Sequence, residues 1–155
     1  RYEGFGPNGS MVIVDCLTDN PNRTFGDVRL CFNKAKCKLG NAGSVSHMFD
    51  HNAIFVFPHS DEEAVLEALM MADVDVSGIE SEDEKVTVFT PHTEYFKARQ
   101  AIIDEYGDTE FEVDEIQFVP QLATPLGDAD REVLDNLIDM LDYLEDVQNI
   151  YHSVT

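Results

Sequence analysis

Apolar positions follow two different periods along the chain, and each period predicts one kind of secondary structure. Apolar runs that are continuous, or that alternate with a period of two, predict β-strands at residues 11–17, 44–49, 53–57, 74–79, 86–89, 111–119 and 147–154. Apolar residues spaced three or four apart predict α-helices at residues 23–39, 60–72 and 93–106, and a longest helix starting at Asp128. Candidate N-caps are Asn22, Ser60 and Asp128, and a glycine-rich loop precedes the first strand.

The order of these predicted elements indicates two small domains. Residues 52–120 follow a βαββαβ order, which is the order of a ferredoxin-like domain. The remaining elements also fit a βαβ…βαβ order once this segment is removed. The sequence therefore predicts an α+β protein with two small βαββαβ domains, one inserted in the other. Residues 1–50 and 121–155 form the discontinuous domain and residues 51–120 the inserted one, with Pro58 and Pro120 near the crossing points.

The predicted helix at 23–39 has one apolar and one basic side. Its apolar arc contains Phe25, Val28, Cys31, Phe32, Ala35 and Leu39. Its polar arc contains Asn33 and five cations, half of the ten lysines and arginines of the chain: Arg23, Arg29, Lys34, Lys36 and Lys38. Leu30 lies within the polar arc, either as an ordinary exposed leucine or as a contact to another domain or partner.

Charge is distributed unevenly around a formal net charge of -21. Residues 1–50 carry six Lys/Arg against five Asp/Glu, whereas residues 51–155 carry four against 26. The strongly acidic segment 51–155 repels the phosphate backbone of nucleic acids at long range. The acidic residues either form a solvated surface or compensate the positive charge of a basic partner. A nucleic-acid contact, if the chain makes one, is thus predicted for the basic helix.

The sequence contains no motif for a catalytic centre, a metal site or a cofactor. The three cysteines lack a CxxC spacing, which predicts reduced thiols, and no HExxH, GxSxG or GxxxxGK[ST] pattern occurs. No apolar run approaches the roughly 18 residues that a membrane-spanning helix needs. We therefore predict a protein that is not an enzyme, with no cofactor and no membrane contact.

The cations of the predicted helix are the candidate binding site. Arg23, Arg29, Lys34, Lys36 and Lys38 would contact phosphates, with Tyr2 and Phe5 of the N-terminal loop as stacking groups for bases. The alternative for the same residues is a solvated helix face without a ligand.

Several short segments resemble the YebC/PmpR family. They are residues 2–7 (YEGFGP), 17–20 (LTDN), 22–24 (NRT), 28–29 (VR), 43–45 (GSV) and, at the C-terminal end, 146–152 (DVQNIYH). The resemblance implies two α+β domains, one inserted in the other, preceded by a helical N-terminal domain. The chain begins at Arg1, so we expect it to lack that domain. Lys36-Cys37 and Asn8 stand where glycines are common in the family.

The family resemblance also implies a function. Its members are described as DNA-binding regulators of transcription, whereas mitochondrial and some bacterial relatives act in translation on the ribosome. We therefore expect a regulator of gene expression that contacts DNA, mainly through the absent N-terminal domain, in the cytoplasm or, in a eukaryote, the mitochondrial matrix. The alternative is a ribosome-associated translational activator that contacts ribosomal RNA. A ligand-sensing ferredoxin-like module ranks third.

Overall fold

A computed structural model describes residues 1–154 as two four-stranded sheets and four α-helices. The strands are Tyr2–Phe5 (β1), Met11–Cys16 (β2), Lys38–Leu39 (β3), Phe49–Pro58 (β4), Gly78–Glu82 (β5), Lys85–Pro91 (β6), Val113–Pro120 (β7) and Val147–His152 (β8). The helices are Pro21–Lys34 (α1), Glu62–Met71 (α2), Tyr95–Tyr106 (α3) and Asp128–Asp142 (α4). The predicted α+β class is confirmed. No helix in this part of the chain is long and apolar enough to cross a membrane.

Two compact units divide the described chain. Residues 1–50 and 119–155 form the first unit, and residues 51–118 form the second. The first sheet has the strand order β3-β1-β2-β8, with every neighbouring pair antiparallel. The second sheet has the order β5-β6-β4-β7.

The second unit has the predicted βαββαβ element order. Its core is formed by β4, β6, α2 and α3, with Phe55, Phe57 and Val88 fully buried. β5 and β6 form a hairpin whose two linking residues, Asp83 and Glu84, both have positive φ (52° and 61°). Two positive φ angles in a two-residue loop match the right-handed twist of the flanking strands.

Residues 51–120 are expected to fold on their own, because the core of the second unit is drawn from this segment alone. The isolated segment should unfold in one cooperative transition, followed by far-UV circular dichroism in urea. Replacing the fully buried Phe55 by alanine should lower the transition midpoint. A segment that gives no cooperative transition would count against the predicted domain organisation.

The N-terminal secondary structure of the first unit differs from the prediction. Two strands precede its first helix, because the predicted N-terminal loop contains β1, which pairs with β2 and with β3. Gly4 permits this pairing, since a Cβ there would lie 2.6 Å from Cε1 of Phe32 and 2.8 Å from the carbonyl oxygen of Lys38. The core lies between this sheet and α1 and α4, with Val12, Phe32 and Leu137 fully buried.

The prediction of a strand at residues 44–49 is also wrong for most of these residues. Residues Ser46–Met48 form a 3₁₀ turn, and only Phe49 belongs to a strand. The physical reason lies in Glu3, whose carboxylate accepts hydrogen bonds from the backbone N–H groups of Gly43, Val45 and Ser46. Those N–H groups are therefore not available for a sheet.

The helix caps lie close to the predicted residues without matching them. Asn20, rather than Asn22, caps α1 and accepts a hydrogen bond from the N–H of Arg23 at 3.2 Å. Asp61, rather than Ser60, caps α2, and Gly127 precedes the first helical residue of α4, Asp128.

The C-terminal end of α1 decides the geometry of the candidate site. The helix ends at Lys34, five residues before the predicted end. Lys36 has a left-handed φ of 59°, its N–H donates to Asn33 O, and the N–H of Cys37 donates to Phe32 O at 2.8 Å. These two bonds define a Schellman turn, which favours glycine at the left-handed position. Lys36 stands where the resemblance implies glycine, and it adopts the left-handed conformation that glycine favours. Asn8, with φ of 53°, does the same.

Candidate nucleic-acid interface

The five predicted cations do not share one helical face. Arg23, Arg29 and Lys34 lie on α1, but Lys36 lies in the turn after it and Lys38 lies in β3. The single basic helix predicted from residue 23 to residue 39 is therefore wrong, because the Schellman turn ends the helix after Lys34.

Arg23 is already engaged inside the first unit. Its Nη2 donates to both carboxylate oxygens of Asp146, at 3.3 and 3.1 Å, and Asp19 lies 3.7 Å away. Thr24 Oγ1 lies 2.8 Å from Asp146 Oδ2 and 2.8 Å from Thr18 Oγ1. Hydrogen bonds from Thr24 and Arg23 hold the pKa of Asp146 below its usual range. Arg23 thus ties the first turn of α1 to the segment before β8, and its charge is compensated there.

The two predicted stacking residues lie on opposite faces of the sheet. Side chains alternate along a strand, so directly paired residues share a face. Tyr2 pairs with Val14 of the helix-covered face, and its ring centroid lies 6.1 Å from that of Phe25. Phe5 pairs with Lys38, three residues further along β1 and therefore on the other face. Tyr2 and Phe5 therefore do not present their rings on one face of the sheet, and stacking by either residue stays a prediction.

Three lysines form the remaining basic cluster, which we call the lysine turn. Lys34, Lys36 and Lys38 are all exposed, and none makes an ion pair within residues 1–154. Phe5 is half-buried beside Lys38. Arg29 is also exposed, but it lies about 140° around the helix from Lys34 at ~100° per residue. The lysine turn therefore offers three exposed cations within five residues of sequence, of which Lys38 lies beside an aromatic ring, Phe5.

The end of α1 also gives Lys34 a structural role. The C-terminal end of a helix carries partial negative charge, so a cation in the last turn stabilises it by roughly 0.3–1 kcal/mol. Lys34 occupies that last turn. This effect explains one lysine of the cluster without a ligand, but it does not reach Lys36 or Lys38, which follow the helix.

Glu3 organises the loop beside this cluster, and the sequence analysis missed it. Its side chain is buried, with Oε2 2.7 Å from the N of Gly43 and Oε1 3.0 and 2.6 Å from the N atoms of Val45 and Ser46. Burial raises the pKa of Glu3, but these three hydrogen bonds outweigh it and hold the pKa below its ordinary value. The carboxylate therefore stays ionised at neutral pH. No local sequence pattern marks it, since its partners lie about 40 residues away.

Other reactive groups do not assemble into a site. Within residues 1–154, no three His, Cys, Asp or Glu side chains approach closely enough to hold a metal ion. Cys16, Cys31 and Cys37 are free thiols, and burial raises the pKa of each, which makes them less reactive than an exposed thiol. Burial also lowers the pKa of His152, the last residue of β8.

Comparison with known proteins identifies the relatives of this chain. The family model described as the second and third domain of TACO1/YebC matches residues 1–154. A protein of Marinomonas sp. named as a probable transcriptional regulatory protein is 67% identical over 153 residues, which are 99% of this chain and 64% of the relative. A protein of Alcanivorax borkumensis with the same description is 64% identical over 154 residues, again 99% and 64% of the two lengths.

A solved structure shows the same fold. The crystal structure of a conserved hypothetical protein from Aquifex aeolicus matches with a TM-score of 0.77 and 25% identity, over 99% of this chain and 63% of that one. This chain spans about 64% of the length of the curated relatives named above. The resemblance inferred from the short segments is confirmed, and the chain belongs to the TACO1/YebC family.

Proposed function

We propose that this protein is a non-enzymatic, nucleic-acid-associated regulator of gene expression that binds DNA to regulate transcription in the cytoplasm. The observation that carries the proposal is the lysine turn, three exposed cations that make no ion pair within residues 1–154, on a chain with a net charge of -21. The transcriptional role is supported by the names of the relatives in Marinomonas sp. and Alcanivorax borkumensis, both called probable transcriptional regulatory proteins.

Electrostatics limit how much of the surface such a contact would use. Residues 51–155 carry 26 Asp/Glu against four Lys/Arg, so most of the chain repels phosphates. Arg23 is compensated by Asp146, and Arg29 lies on another side of α1. We therefore expect about three phosphate contacts, a weak affinity and a strong dependence on salt.

Replacing Lys34, Lys36 and Lys38 together by glutamine is the test. Each phosphate contact contributes a slope of about -0.9 on duplex DNA, or about -0.7 on single strands, to log K against log salt. The triple variant should flatten that slope by about two to three units. Fluorescence anisotropy with a labelled duplex and a labelled single strand, over a salt series, measures it. The midpoint of thermal unfolding should fall by no more than about 4 °C, because all three side chains are exposed and only the interaction of Lys34 with the helix end is lost.

The matched control replaces Lys85, Lys97 and Arg131 by glutamine, which changes the net charge equally. Each of these cations already has a carboxylate partner, at 2.8 Å (Glu112), 3.6 Å (Asp73) and 3.5 Å (Asp135). The control should keep the slope of the unmodified protein within about one unit. Equal slopes in both triple variants would contradict a local contact and leave the lysine turn as a solvated surface.

Phe5 favours a second candidate function, a ribosome-associated role in translation. An aromatic ring beside a lysine suits an unpaired base, which stacks on the ring while its phosphate meets the cation. Phe5 and Lys38 form such a cross-strand pair. Sedimentation through a sucrose gradient separates the two functions. Co-migration with ribosomes that survives moderate salt, and that the Lys34/Lys36/Lys38 variant loses, would replace the transcriptional proposal by the translational one.

A further inference from the structure

An apolar groove runs between α1 and α4 on the outer side of the first unit. Its volume is about 400 Å³, and its apolar lining consists of Leu30, Cys31, Met140, Tyr143 and Leu144. Leu30 is 51% exposed and Tyr143 is 88% exposed. The core of this unit is built instead from residues of both helices that face the sheet and are fully buried, such as Phe32 and Leu137. Among the groove residues, Cys31 belongs to this core and Met140 and Leu144 pack against it, whereas Leu30 and Tyr143 are additional to it.

Leu30 and Tyr143 are two of nine large apolar side chains that are exposed within residues 1–154. About a quarter of its residues are charged, and α4 presents acidic side chains along most of its exposed side. Leu30 and Tyr143 nevertheless meet at one groove instead of being scattered singly. A contiguous exposed apolar area bordered by polar groups marks an interaction surface more often than isolated leucines do. Tyrosine is also among the residues that carry most binding energy in protein interfaces.

The rim of the groove is acidic. Asp27 of α1 and Asp139 of α4 line it, and a second depression that shares Asp27 and Tyr143 adds Glu145. Lys34 is the one cation among the eight residues that line the groove. Arg23 and Asp146, in the second depression, are paired with each other and contribute little net charge. An occupant with cations beside its apolar surface would therefore find three carboxylates within reach.

We propose that this groove is the docking site for a basic amphipathic helix of a partner protein. Two packed helices leave between them a groove in which the side-chain ridge of a third helix fits. An apolar stripe on that helix would cover Leu30 and Tyr143, and lysines or arginines on both sides of the stripe would meet Asp27, Asp139 and Glu145. Nucleic acid does not fit this site, because its phosphates would meet the same carboxylates. A second copy of this chain is disfavoured by the net charge of -21 on each molecule.

Binding of a designed peptide tests the proposal. The probe is a fluorescein-labelled helical peptide of about five turns, with leucines on one side and lysines flanking them. Its affinity for the whole chain is measured by anisotropy at physiological ionic strength. The variant Leu30→Ser/Tyr143→Ser should lose tenfold or more in affinity. A peptide with glutamates in place of the lysines should also bind at least tenfold more weakly.

Met70→Ser/Met71→Ser is the matched control, since these two side chains are 65% and 82% exposed on α2 of the second unit. It should bind the lysine peptide within twofold of the unmodified protein. Both double variants change exposed residues, and equal thermal unfolding midpoints would show that both are folded.

Several results would overturn the proposal. They are the absence of binding, equal binding by the two double variants, and equal binding of a peptide with the same composition in scrambled order. A concentration-dependent dimer in sedimentation that Leu30→Ser/Tyr143→Ser abolishes would assign the groove to a second copy of the chain instead.

Discussion

Replacing Phe32 by alanine is expected to lower the free energy of unfolding by about 3–5 kcal/mol, the usual cost of removing a fully buried aromatic side chain. Phe32 is 0% exposed in α1, and its ring lies against Gly4 so closely that a Cβ at Gly4 would be 2.6 Å from Cε1. On this side of the ring the neighbour is a glycine, which has no side chain to fill the space that alanine would leave. Urea unfolding followed by far-UV circular dichroism measures the loss.

Two other phenylalanines provide the controls for this experiment. Phe96 is 82% exposed, so Phe96→Ala should change the free energy of unfolding by less than about 1 kcal/mol. Phe25 is 45% exposed and contacts Tyr2, so its replacement should cost an intermediate amount. The sequence pattern assigned Phe25 and Phe32 to the same apolar arc, and several kcal/mol would have been expected for both. Equal losses for Phe32→Ala and Phe96→Ala would contradict the described core.

Elements with strong apolar periodicity could be predicted from the sequence. The helices α2, α3 and α4 and the strands β2, β4 and β6 all overlap their predicted ranges, because their apolar side chains form the two cores. Periodicity failed at the end of α1 for a specific reason. Ala35 and Leu39 continue the apolar spacing, and the left-handed residue that ends the helix is Lys36 rather than a glycine. The usual sequence signal for a Schellman turn is thus absent.

Strand β1 could not be predicted from its own composition. Residues 2–5 contain a glycine and no β-branched residue, and they become a strand because β2 and β3 supply hydrogen-bond partners on both sides. Because residues 2–5 form a strand instead of a loop, the side chains of Tyr2 and Phe5 lie on opposite faces of the first sheet. The local excess of cations at residues 23–38 is visible in the sequence, and its role in binding stays a prediction. The partner that neutralises Arg23 lies 123 residues away, and one-dimensional patterns give no sign of it.

The groove was only half visible in the sequence. Leu30 stood out as an apolar residue among cations, which raised the possibility of a partner contact. The sequence analysis did not single out Met140 of α4 or Tyr143, the residue that follows this helix. That these side chains and Leu30 belong to one surface follows only from the packing of α1 and α4 in one unit.

Replacing Glu3 by glutamine is expected to cost about 2–3 kcal/mol at neutral pH. The carboxylate accepts three backbone hydrogen bonds while its side chain is buried. A glutamine has nearly the same shape but offers one acceptor oxygen and an NH₂ group, so at least one buried N–H of Gly43, Val45 or Ser46 would face a donor. Amide hydrogen exchange should become faster at these three residues. Glu80→Gln, at an exposed position of β5, should leave both stability and exchange unchanged.

The cost of this substitution should depend on pH in a defined direction. The pKa of Glu3 is lower in the folded protein than its ordinary value, so the folded state favours the ionised form. Its stabilisation is therefore fully present above the pKa of an unfolded glutamate, about 4.3, and is lost as the pH falls through the lower folded value. The difference in unfolding free energy between the unmodified protein and Glu3→Gln should be constant from neutral pH to about pH 5 and should shrink below about pH 4. Subtracting the variant removes the titration of the other 30 acidic residues, which both proteins share. A difference that stays constant down to pH 3, or a loss no greater than that of Glu80→Gln, would show that this carboxylate does not hold the loop at residues 43–46.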